Sequence, residues 1–385
     1  MNDFPKKLSE KLTKRKDNDA FRSLKNFKGE HDFASNDYLG FSYSSEIAET
    51  AKKLLNEYKL EQNNATGSRL LTGNHELYPV AESRISNIHN AEAALIYNSG
   101  YMANVGFFGC VPQKDDLVFY DELCHASIRE GIRLSPAKAY KFGHNDFKDL
   151  KEKLIRLTAG GDSQSREVYV VTETVFSMDG DSPDLKKLME LQNEFSFRLV
   201  LDEAHALGVM GSEGYGFVQD LKLENKCFAR IYTFGKALGC KGAVVVGSKR
   251  LKEYLVNFSR SLIYTTALSP YDVALIVAAY EELQEAKSVR EELNRNIAIF
   301  NQEILKAEFG ASFIKSDSAI QSCIIPGNSN IKSLATELQN QGFDVRPILA
   351  PTVPKGKERL RFCLHSYNSE ESIRQVVQLL AKFVK

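Results

Sequence analysis

The sequence predicts an α/β fold: a large domain on a mostly parallel central sheet, followed by a smaller α+β C-terminal domain. Three observations carry this. The runs 168–172 (VYVVT), 198–202 (RLVLD), 230–234 (RIYTF) and 243–247 (AVVVG) are short, apolar or β-branched, and lack strict alternation with polar residues. Strands covered on both faces read this way. Helix-patterned stretches fall between several of them, such as 182–195, giving the strand–helix alternation of a parallel sheet. Beyond residue 280 the character changes: a long charged helical stretch (280–309) precedes the short strands in AIQSCIIP and RLRFCL. A last helix then places Ile373, Val376, Val377, Leu380 and Val384 on one face.

In chain order, the opening MNDFPKKLSEKLTKRKDND is charged throughout and lacks the apolar core of a secretory signal, so an amphipathic arm or helix is expected. From Ser45 a surface helix sets Ile47, Ala51, Leu54, Leu55 and Tyr58 on one face. Ala93 to Gln113 carries no formal charge and is about as long as a membrane span, but Asn98, Ser99, Asn104, three glycines and Pro112 interrupt it. A span is therefore rejected. The expected division is an N-terminal arm or helix over 1–44, a large domain over 45–280 and a small one over 281–385.

The chain has 385 residues, enough for two domains at roughly 100–200 residues each. Lysine plus arginine number 50, as do aspartate plus glutamate, so no global field recruits nucleic acid or an acidic membrane. A small-molecule ligand is the better default. Six cysteines lie far apart with no C-x-x-C pair, which argues against a zinc cage or a disulfide framework and for a reducing, cytoplasmic setting. No metal is expected.

Ligands of open α/β sheets gather beyond the carboxyl ends of strands. Asp202, His205 and Lys236 follow such ends. For the first two alone, a helix cap and a satisfied core histidine explain as much as chemistry does. Lys236 changes the weighing, because a lysine among apolar neighbours loses its proton more easily and a neutral amine condenses with an aldehyde. Pyridoxal 5'-phosphate uses such a lysine and needs an acid at its ring nitrogen. Asp202 and Lys236 fill those roles, and YNSGYMANVGFF supplies a strand, a Ser99-Gly100-Tyr101 turn and a helix start for the phosphate. Lys241 in the same stretch has no such role.

An ordered set of motifs extends this over almost the whole chain: FASNDYLGFS, GSRLLTGNHELYPVAE, NSGYMANVG, HASIREGIRLS, TETVFSMDGDSPDL, DEAHALGVMG, TFGKALGCKGA, LIYTTALSP and PTVPKGKERLRFCL. With them the chain resembles the α-oxoamine synthase family, pyridoxal-phosphate enzymes of the aspartate-aminotransferase fold type I. The resemblance implies a homodimer with a shared active site. FSMDGDSPDL, LIYTTALSP and PTVPKGKERLR resemble most the biotin-pathway branch, which condenses L-alanine with a pimeloyl thioester of coenzyme A or a carrier protein. Glycine with acetyl-CoA and serine with a long acyl chain are the rival branches; a non-catalytic relative is the reading from another class.

By the same resemblance, Lys236 would hold the cofactor and act as the base, and Asp202 would pair with the ring nitrogen. His205 and Ser177 would bond the ring's phenolic oxygen, and His125 would stack on the ring and face the substrate; a helix-start hydrogen bond is its bland alternative. Gly100, Tyr101 and Thr233 would hold the cofactor within one subunit, with Thr265 and Thr266 reaching the phosphate across the dimer. Arg361 would bind the amino acid's carboxylate, with Arg359 an exposed neighbour. Arg22, Asn36 and Thr352 match substrate-contacting positions. Where relatives carry an arginine before the PTVP loop this chain has Leu349, with Arg346 three residues upstream as a possible substitute.

Overall fold

The computed structural model describes residues 4–24, 29–158 and 166–384. The chain forms two compact units, one from Asp37–Ser177 with Ser182–Arg290, the other from the described residues of Met1–Asn36, Met178–Asp181 and Glu291–Lys385.

The larger unit is built on seven strands: β1 (Ala93–Tyr97), β2 (Leu117–Asp121), β3 (Lys138–Phe142), β4 (Val168–Glu173), β5 (Arg198–Asp202), β6 (Cys227–Thr233) and β7 (Ala243–Gly247). Their order is β1-β7-β6-β5-β4-β2-β3. All neighbours run parallel except β7, which is antiparallel to both β1 and β6. The missing hydrophobic alternation has a simple origin. Val118, Val171, Val200 and Ile231 enter one apolar cluster, while Leu117, Phe119, Val170, Leu199 and Leu201 enter another. Successive strand residues point to opposite faces, so both faces are core. Each such side chain contributes about 1.5–3 kcal/mol on burial.

Two helices of this unit matter for function: α1 (Gly100–Phe108), capped by Ser99, and α2 (Ala126–Leu134), capped by His125. The uncharged run that could be mistaken for a span is thus β1 followed by α1. Among the described residues no helix is long and apolar enough to cross a membrane.

The smaller unit holds an antiparallel sheet of Arg346–Ile348, Arg359–Cys363 and Ile320–Ile324, in that order. Its last helix, Glu370–Val384, buries Ile373, Val376, Val377 and Leu380, as the spacing predicts; the side chain of Val384 lies outside the described residues. The N-terminal helix Lys6–Asp17 buries none of its residues. The charged stretch from 280 takes in the end of one helix, Pro270–Glu285, and the whole of another, Lys287–Lys306, and the units divide within the second. Residues 178–181 join the smaller unit because the Ser316 and Ser318 hydroxyls donate to the Gly180 carbonyl at 2.8 and 2.9 Å. A domain reading that cuts the chain at 44 and 280 has no means of seeing this short excursion.

Candidate active site

The parallel register sets Glu173, the last residue of β4, beside Asp202, the last of β5. Past the end of β6 the chain turns through Gly235 and brings Lys236 to the same edge. These ends, with the start of α1 and the residue capping α2, enclose a cavity of about 150 Å³. Asp202, His205, Lys236, His125 and Thr233 all line it, as do Gly100 and Tyr101. Ser177 is buried but is not part of that lining, nor are Thr265, which is half-buried, and Thr266, which is exposed. The Thr266 carbonyl accepts from Asn98 Nδ2 at 2.7 Å.

Asp202 is 4% exposed, and its carboxylate is held by the chain: Oδ1 accepts the Ala204 N–H at 2.9 Å and Oδ2 accepts Asn104 Nδ2 at 2.8 Å. A buried carboxylate fixed by two donors keeps its place and still offers lone pairs. Lys236 Nζ lies 2.8 Å from His205 Nε2, and His205 Nδ1 lies 2.7 Å from the Tyr38 hydroxyl. Lys241 is exposed, so of the two lysines only Lys236 belongs to the site.

His125 caps the start of α2 and lines the cavity. Its Nδ1 accepts the Ser127 N–H at 3.2 Å. Burial lowers its pKa, with Asp202 opposing and Lys236 assisting.

Three polar residues of the cavity, Asn104, Ser127 and Glu173, escape the sequence reading. Glu173 ends an apolar run just as Asp202 does, so the same signal marks it. Burial first, and Asp202 second, push its pKa up to about 8. Asn104 lies inside a helix of apolar and small residues, and nothing in the sequence says which neighbour it meets. Its Oδ1 is buried and has no hydrogen-bond partner among the described residues.

These residues fit pyridoxal phosphate. The first N–H groups of a helix lack intrahelical partners; Ser99 Oγ takes only that of Met102, at 3.2 Å, beside Gly100 and Tyr101 on the lining. A side chain at Gly100 would come within 3.2 Å of Thr233, so glycine keeps this approach open. The buried acid, the amine and the unpartnered Asn104 Oδ1 supply polar groups for a ring with a nitrogen and an aldehyde.

In the smaller unit, Arg361 Nη2 donates to Asn36 Oδ1 at 2.8 Å, and Arg22 Nη2 to Thr352 Oγ1 at 3.0 Å. Arg359 corrects an expectation. It is 4% exposed rather than a solvated neighbour, and its guanidinium is paired with the Asp179 carboxylate. Residues two apart on a strand share a face, so Arg359 and Arg361 are turned to the same side, and burial there demands a counter-charge. Arg346 Nη2 donates to Asp344 Oδ2 at 2.8 Å.

A model of the family described as aminotransferase class I and II matches residues 29–380. The chain is 39% identical to 8-amino-7-oxononanoate synthase of Emericella nidulans, over 100% of this chain and 98% of that protein. Among solved structures, an 8-amino-7-oxononanoate synthase from Francisella tularensis superimposes with a TM-score of 0.77 at 28% identity, covering 92% of this chain and 97% of that one. A serine palmitoyltransferase of Sphingomonas wittichii gives a TM-score of 0.89 at 24% identity, over 99% and 98%, a likeness of fold.

Proposed function

Because the chain belongs to the aminotransferase class I and II family, we propose that it is a pyridoxal-phosphate-dependent acyltransferase. It condenses L-alanine with a pimeloyl thioester to give 8-amino-7-oxononanoate, carbon dioxide and a free thiol. The observation that carries this is one cavity holding Asp202, His205 and Lys236 beside the start of α1. The full-length similarity to an 8-amino-7-oxononanoate synthase supports the choice of branch.

When bound, pyridoxal phosphate supplies an aldehyde that captures an amino group and a protonated ring that accepts the electron pair released at the α-carbon. The chain's part is to hold and to move protons. Asp202, fixed by Asn104 and Ala204, keeps the ring nitrogen protonated. Lys236 would hold the aldehyde and, with its amine free, would take the substrate's α-proton on Nζ. His205, anchored by Tyr38, orients that amine and, with Ser177, bonds the phenolic oxygen. Gly100, Tyr101 and Thr233 bind the phosphate end, with Thr265 and Thr266 of a second subunit completing it in a homodimer.

Arg361 takes the amino acid's carboxylate, for which a guanidinium offers two parallel hydrogen bonds; Asn36, Arg22 and Thr352 serve the substrate as well. His125 donates to an anionic group of the substrate. Leu349 is the observation that favours another acyl donor, since Arg346, its possible substitute, is engaged by Asp344.

Thiol release by the cofactor-loaded protein tests the reading, comparing L-alanine plus pimeloyl-CoA with glycine plus acetyl-CoA and serine plus palmitoyl-CoA. Release in the first mixture alone is expected. Release only in another moves the chain to a different branch.

A further inference from the structure

The hydrogen bonds around His125 leave its ring a single arrangement. Asn104 Nδ2 donates both to Asp202 Oδ2, at 2.8 Å, and to Ser127 Oγ, at 3.0 Å. The amide cannot be turned over, because its oxygen would then face a carboxylate. Ser127 Oγ therefore accepts a hydrogen bond from Asn104 and keeps its own O–H to donate. The atom it faces at 2.7 Å is His125 Nδ1. The Ser127 N–H also points at Nδ1, at 3.2 Å. An imidazole nitrogen facing two donors is an acceptor, so the ring proton resides on Nε2.

The backbone of the same residue is tied from another side. The His125 N–H donates to Glu173 Oε1 at 2.5 Å, and Glu173 is 2% exposed at the end of β4. The groups that act on Glu173 are Asp202 from β5, Lys236 beyond β6, Asp121 from β2 and His125 itself.

We propose that Ser127 and Glu173 are positioning residues of this site, which together hold His125 in place as its Nε2–H tautomer. The imidazole is then a hydrogen-bond donor, suited to a substrate carboxylate or the developing thioester oxyanion and not to a cationic amine. This rests on the acyltransferase reading for its purpose, but the tautomer itself does not depend on it. Burial, which lowers the His125 pKa, and the raised pKa of Glu173 both agree with a neutral ring beside a neutral carboxyl.

The test is nitrogen-15 NMR of histidine-labelled protein without added cofactor, with His125→Gln used to assign the His125 signals. Expected is an unprotonated Nδ1 and a protonated Nε2. Ser127→Ala is expected to mix the two tautomers and to lower kcat in the thiol-release assay by about five- to tenfold, the worth of one hydrogen bond. Glu173→Gln, which keeps the acceptor oxygen, is expected to retain the parent's His125 signals, whereas Glu173→Ala shifts them. A protonated Nδ1 in the parent overturns the inference even if every variant misfolds, and so does a Ser127→Ala protein with unchanged tautomer and kcat. A parent protein with the expected tautomer but no thiol release would instead sink the acyltransferase reading alone.

Discussion

Lys236 Nζ and His205 Nε2 are 2.8 Å apart, and the other nitrogen of that imidazole is 2.7 Å from the Tyr38 hydroxyl. The amine is thus held at the strand ends by hydrogen bonds that run through His205 to Tyr38.

Replacing Lys236 with alanine should lower turnover by ~10²–10⁴-fold or more, the range for loss of a positioned base. Some cofactor should remain bound through Asp202 and the helix start. Thiol release and equilibrium dialysis of pyridoxal phosphate check the two halves, and undiminished turnover would overturn the site assignment.

Asn104→Ala removes the donor to Asp202 Oδ2. A hydrogen bond to a charged group is worth about 1.5–3 kcal/mol, so cofactor affinity should fall roughly 10- to 100-fold. A spectroscopic titration with pyridoxal phosphate measures this; an affinity equal to the parent's would show that Asp202 needs no support.

Stability should fall as pH rises from about 5 to 8. Burial, the main cause, raises Glu203 to about 7 and Glu173 to about 8 from the ordinary 4.5. Between those values the folded chain keeps protons that the unfolded chain has released, so each unit of pH in that window favours unfolding. The melting temperature of the cofactor-free protein should therefore decline across it, and Glu203→Gln should flatten the decline. A melting temperature that climbs steadily over the same range would contradict both shifts.

Gly239 has φ +60°, and a side chain there would meet the Ser42 backbone nitrogen at 2.3 Å. Its own N–H closes a turn onto the Lys236 carbonyl at 2.9 Å. Gly239→Ala should cost about 1–3 kcal/mol and displace the lysine loop. Chemical denaturation and the visible absorption of the cofactor-loaded protein read the two effects together.

Asp202, His205 and Lys236 were legible because each breaks an apolar pattern where a strand ends, and such breaks must carry a reason. Glu173 gives the same signal, but a second carboxyl at the next strand end gains meaning only once the two strands are known to be neighbours. Arg359 looked like a solvated charge because its partner, Asp179, lies 180 positions away in sequence. Asn104 gave no signal at all.

By itself the sequence determined the two-faced strands, the strand–turn–helix at Ser99 and the residue types at the strand ends, since all of these are set by periodicity and by local backbone chemistry. The tertiary structure decided which of those ends stand side by side. The register of Glu173 against Asp202, and the approach of Asn104 to a carboxylate 98 residues further on, depend on how helices pack on the sheet. Packing joins residues through space, and no local pattern encodes that choice.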